Sequence, residues 1–147
     1  MKKPSQARAA ARLAAVQALY QHEMEAPPLA NLLDEFHMHR LGAEIEEAQY
    51  AAAEVAFFDD VVKGVIARRD EIDNIIAARL AAGWKLERLD RTMIQILRAG
   101  TYELLARADV PTGTAISEYL DVAHAFFDTK EARFVNGVLD GVAKAVR

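Results

Sequence analysis

The chain has 147 residues, a net charge of −4, 52% apolar residues and no cysteine. That length suits one domain over residues 1–147, with enough apolar material for a core that needs neither disulfides nor metals. The missing cysteines exclude a thiol nucleophile, a cysteine-ligated zinc site and an iron–sulfur cluster, and they fit a reducing cytoplasm.

Residues 1–22 carry Lys2, Lys3, Arg8 and Arg12 and no acid, a local charge of +4, so the remainder carries −8. The whole chain is therefore unsuited to indiscriminate nucleic-acid binding, while one end can take an anionic ligand. The ordinary alternative for this basic stretch is a solvated helix face. Arg8, Arg12 and Gln17 interrupt any signal-like apolar region, and no apolar run approaches the roughly 18 residues of a membrane span.

The periodicity is helical nearly throughout, and strand signals are missing. The first predicted helix is capped by Ser5, with a buried stripe of Ala9, Leu13, Val16, Tyr20 and Met24. Arg8 and Arg12 lie about 100° from that stripe and are expected to point outward. Pro27-Pro28 ends the helix. A short helix follows over Leu29–Arg40, with Leu32, Leu33 and Phe36 inward, and Leu41-Gly42 breaks it. The stretch Ile45–Ala82 is too long for one ordinary helix and is expected to restart near Ala67–Asp70. Phe57, Phe58, Val61, Val62, Val65 and Ile66 form its first core face, and Ile72, Ile75, Ile76 and Leu80 its second. Gly83 stops it.

Trp84–Leu89 reads as a connector. Asp90–Arg107 reads as a central helix, since Met93, Ile94, Ile96, Leu97, Leu104 and Leu105 spread around its circumference. Asp109-Val110-Pro111 is a turn. Thr112–Phe127 and Thr129–Val146 complete the helices, with Asp128 and Glu131 at capping-box spacing. In the last helix Val135, Val138, Leu139, Val142 and Val146 form the core face, and Arg133, Asn136, Asp140 and Lys144 a polar face. Phe134, Gly137, Gly141 and Ala145 share a third stripe, where the small residues are expected to let another backbone approach.

No convergent catalytic set is visible. There is no nucleophile elbow, phosphate loop or zinc-protease motif. Asp59 and Asp60 are adjacent and point to different faces. Asp34/His37 and Asp121/His124 have acid-x-x-His spacing but lack the core glutamates of a di-iron bundle, so two surface histidines are expected in place of a metal site. Binding remains. Lys2, Lys3, Arg8 and Arg12 can hold phosphates, and Lys130 and Arg133 begin a helix whose amide terminus favours anions. Tyr20 and Phe134 are base-stacking platforms if exposed and core residues if not.

Several segments follow one another in a telling order: Ala11-Arg12 with Ala15–Tyr20, Trp84 with Glu87-Arg88-Leu89, Ile96-Leu97-Arg98 and Tyr102-Glu103-Leu104. They continue with Asp109-Val110-Pro111, Ala115-Ile116-Ser117-Glu118 and Phe134-Val135-Asn136-Gly137-Val138-Leu139-Asp140. Each is weak alone; together they span the chain and are specific. In these segments the chain resembles the NusB family of bacterial transcription antitermination factors. The resemblance implies an all-α fold of about seven helices in two packed bundles, with no catalysis and no cofactor. It implies binding to the single-stranded boxA element of nascent ribosomal RNA with NusE, a small-subunit ribosomal protein. NusA, NusG and RNA polymerase belong to the wider complex. The family's RNA contacts map onto Arg8, Arg12, Tyr20, Lys130, Arg133, Phe134 and Asn136, and its NusE face onto Trp84, Glu87 and Arg91. For Trp84, core packing is the alternative to an interface anchor.

Three departures stand out. Ala9, Ala10 and Ala11 replace part of the arginine cluster of many relatives, which implies weaker RNA binding alone and more reliance on NusE. Ser117 stands where the family usually has Asn, and Phe127 where it has Gly. Two further readings share the fold: a NusB-like domain of a ribosomal RNA cytosine methyltransferase, which requires a cofactor domain beyond Arg147, and a helical interaction module without RNA. A homodimer burying the basic face stays open.

Overall fold

In a computed structural model the backbone is described for residues 4–39 and 48–147, and every described regular element is helical. The helices are α1 (Pro4–Glu25), α2 (Leu29–His39), α3 (Ala48–Ala67), α4 (Arg69–Ala77), α5 (Arg91–Ala106), α6 (Thr112–Phe126) and α7 (Thr129–Val146). A single 3₁₀ turn, Leu86–Arg88, lies between α4 and α5. The chain divides into two compact units, Met1–Lys63 and Gly64–Arg147. No helix among the described residues is long and apolar enough to cross a membrane.

In the first unit Pro4, the first described residue, is already helical, so Ser5 lies inside α1 and not at its cap. The helix ends where Ala26 enters the left-handed region (φ 49°) and its N–H bonds the His22 carbonyl at 3.0 Å. Pro27-Pro28 then prevents continuation. Leu32, Leu33 and Phe36 of α2 are buried as the spacing requires, and Phe36 stacks on Phe58 of α3 with centroids 5.5 Å apart. His37 is not a free surface histidine. Its Nε2 lies 2.6 Å from Asp59 Oδ1, and its ring meets the Phe58 edge.

The expected break near Ala67–Asp70 is at Arg68, whose φ of −113° and ψ of 23° separate α3 from α4. Arg68 donates to Glu71 at 2.8 and 3.2 Å across the break. That bond holds the exposed Glu71 carboxyl below its ordinary range, so its contribution is present above the unfolded-state value and fades as pH falls. Helix α4 ends at Ala77, short of the expected Ala82. Alanine-rich 78–82 has good helical propensity, but tight turns such as Arg79 N–H to Ile76 carbonyl (2.9 Å) take over. The turn run closes at Gly83 with φ 87°, where glycine carries no steric penalty.

Helix α5 is the axis of the second unit. Asp90 caps it by accepting from the Thr92 and Met93 amides at 2.8 and 3.2 Å. Every residue from Met93 to Leu104 is buried, as expected for a helix covered on more than one side. It packs against α4, α6 and α7. The burial includes charge. Arg98 makes a two-pronged pair with Asp73 of α4 (2.8 and 2.9 Å), and Glu103 accepts from the Tyr119 hydroxyl of α6 at 2.5 Å. At the far end of α5 the Arg147 guanidinium donates to the carbonyls of Glu103, Leu104, Arg107 and Val110, tying the C-terminus of α7 to the end of α5 and the turn after it. Asp128 has extended backbone at the N-cap of α7 but makes no side-chain cap bond, so the expected capping box does not form around this exposed carboxylate.

Candidate nucleic-acid interface

The residues expected to contact RNA fall in both units. Lys2 and Lys3 lie outside the described residues. On α1 the buried face is Ala7, Ala11, Ala14, Ala15, Ala18 and Leu19, together with Val16. The expected stripe of Ala9, Leu13, Val16, Tyr20 and Met24 is therefore rotated: only Val16 is buried, while Tyr20 and Met24 are exposed. Alanine explains the difference. It ranks low as an apolar marker, yet it allows the closest helix approach, so the packed face follows the alanines and not the larger residues.

That rotation carries Arg12 inward. It is only 2% exposed, and its guanidinium lies over the Phe57 ring of α3 at 4.9 Å. Arg8, one turn earlier and half-buried, lies over the same ring at 4.7 Å. The expectation that both arginines point outward fails for Arg12, whose head is buried and lies over the Phe57 ring. Tyr20, at 39% exposure, keeps an open ring.

In the second unit α7 presents Lys130, Arg133 and Asn136 on exposed positions, with Phe134 half-buried between them. Val135, Val138, Leu139 and Val142 point into the core. The polar face of Arg133, Asn136, Asp140 and Lys144 is exposed as the spacing requires, and Lys144 pairs with Asp140 at 3.1 Å. Trp84 is 58% exposed and rests against Phe134, centroids 5.9 Å apart. It is thus neither a core residue nor separate from the α7 set. Glu87 is exposed. Arg91 acts locally, since its guanidinium donates to the carbonyls of Glu87 and Leu89 and pins the connector to the start of α5.

Among the described residues, no backbone comes close to the glycines of the α7 stripe as expected: a Cβ on Gly137 would meet nothing within 4 Å, and the nearest atoms to one on Gly141 belong to the Arg79 side chain, from 3.2 Å. The glycines at close approaches are Gly64, against Tyr102, and Gly100, against Leu139. Both sit inside apolar helical runs, a signal that the α7 motif overshadows. Gly137→Ala is accordingly expected to raise stability by about 0.5–1 kcal/mol through helix propensity. Thermal melting checks this; a lowered midpoint would mean that the position is closely packed.

The sequence profile of the NusB family matches residues 9–144. The chain belongs to the NusB family. A NusB relative from Novosphingobium aromaticivorans, named transcription antitermination protein NusB, is 74% identical over 141 residues, covering 96% of this chain and 95% of its own. Another of the same name from Sphingopyxis alaskensis is 69% identical over 147 residues, covering 100% and 99%. Among solved structures, the NusB fold recurs in a crystal structure of antitermination factors NusB and NusE in complex with dsRNA. The similarity there has a TM-score of 0.78 at 26% identity and covers 95% of this chain and 98% of that one. The expected NusB architecture of about seven helices, without strands among the described residues, is the one observed.

Proposed function

We propose that this protein is a cytoplasmic transcription antitermination factor that binds boxA of nascent ribosomal RNA together with NusE. It acts without catalysis, inside a wider complex with NusA, NusG and RNA polymerase. The observation that carries the reading is family membership across nearly the whole chain, joined to a structural relative solved with NusE and RNA. The relatives that the chain spans almost completely are named as antitermination proteins, which does not favour a detached methyltransferase domain.

The physical chemistry supports a division of labour. A net charge of −4 limits long-range attraction to RNA, so local cations and a basic partner must supply it. Arg8, Tyr20, Lys130, Arg133, Phe134 and Asn136 are the RNA contacts in this reading. Lys2 and Lys3 add charge at the N-terminus. Arg12 acts from beneath, holding Phe57 and through it the setting of Arg8. Glu87 faces the basic partner, and Arg91 keeps the connector in register.

Arg8→Ala is expected to weaken boxA binding while leaving the fold intact, since the side chain is half-buried and its backbone helix is rich in alanine. The plot of log affinity against log salt should become shallower by up to about 0.7 for one lost contact to a single strand. Affinity measured across a salt series tests this. Unchanged affinity and slope would remove α1 from the RNA face.

A further inference from the structure

We propose that Trp84 belongs to the RNA site, where it and Phe134 form one stacking platform for unpaired bases. The proposal rests on the RNA-binding reading above and reassigns Trp84 from the protein-partner face. The chain has a single tryptophan, and it is 58% exposed. A ring of this size left in water, and held against a second aromatic ring at 5.9 Å with 33° between planes, presents a broad π-surface. Phe134 anchors it from α7, whose opposite side is buried through Val135, Val138 and Leu139.

The surroundings select the occupant. Lys85 and Arg88 flank Trp84 on the connector, and Lys130 and Arg133 flank Phe134 on α7; all four are exposed. Lys130 lies one helical turn before Phe134, on the same side. Over residues 84–88 and 128–134 these four cations outnumber the acids Glu87, Asp128 and Glu131 by one, in a chain of net charge −4. Gly137, at i+3 from Phe134, leaves open space on the same flank. Next to the two rings in sequence, Gly83, Lys85 and Arg133 are exposed, as are Asn136 and Gly137 on the following turn of α7, so polar and small residues adjoin the pair. Flat aromatic faces in a polar, cationic setting match a nucleobase and its phosphate, because every base offers a π-face.

The single tryptophan makes the test direct. A fluorescein-labelled boxA single strand is titrated into the full-length protein, following RNA anisotropy and, with unlabelled RNA, Trp84 emission. Emission should change saturably with the same midpoint as anisotropy. Trp84→Ala should weaken RNA binding about 5- to 100-fold, and Trp84→Phe should retain most of the affinity. Binding of NusE to Trp84→Ala, measured without RNA, should stay at the wild-type level. If RNA binds but emission is unchanged and Trp84→Ala keeps wild-type affinity, the platform is refuted while the RNA reading stands. If Trp84→Ala loses NusE and keeps RNA, the ring belongs to the protein face. If the wild type binds no RNA with or without NusE, the RNA reading fails and this assignment falls with it.

Discussion

Gly64→Val is expected to destabilise the protein by about 2–3 kcal/mol, the upper part of the range for overpacking. A Cβ at Gly64 would overlap the outer ring atoms of Tyr102. Tyr102 is only 7% exposed, so its ring cannot swing into solvent without leaving the core of the second unit. For a chain of this size the melting temperature should fall by about 4–12 °C. A paired substitution isolates the cause. In a Tyr102→Leu background the shorter side chain no longer reaches Gly64, so Gly64→Val should cost at least about 1 kcal/mol less than in the wild type. Additive effects would show that the two positions do not meet.

Asp73→Ala is expected to cost about 2–4 kcal/mol, because a buried ion pair loses one side. The Arg98 side chain is 8% exposed, and Asp73 satisfies it with two charge-assisted bonds between α4 and α5. Removing Asp73 takes the two-pronged carboxylate partner from a buried guanidinium that also donates to Gln95 at 3.4 Å. Breaking one side of a buried pair costs about 3–5 kcal/mol, discounted here because Asp73 is a quarter exposed. The combined Asp73→Leu/Arg98→Met variant should recover much of the loss, since replacing both charges removes the unmet desolvation. Denaturant midpoints at constant m-value test this. A double variant as unstable as Asp73→Ala would locate the cost in shape and not in charge.

The helices are legible in the sequence because periodicity and breakers act locally. Proline at 27–28, the restart near Arg68 and the all-round apolar α5 are where the sequence pattern puts them. What the pattern misses depends on partners distant in sequence. Arg98 with Asp73, Glu103 with Tyr119, and Arg147 with the end of α5 are polar groups that helical spacing alone assigns to the surface. Periodicity turns the wrong face of α1 inward because alanine carries little hydrophobic weight, although its size decides how near another helix comes. For the candidate interface, the polar face of α7 follows from spacing. The contact of Trp84 with Phe134 does not, since it joins a connector to a helix fifty residues later in the chain.

A mildly acidic NusB-family chain should bind boxA RNA well only with help from a basic partner. This is tested most simply by titrating labelled boxA single strand with the protein alone and with the protein saturated by NusE, at physiological salt and across a salt series. The pair should show a markedly lower dissociation constant and a steeper salt dependence than the protein alone, because the partner adds phosphate contacts. Equal affinity and equal salt slope with and without NusE would show that the partner contributes nothing to RNA binding.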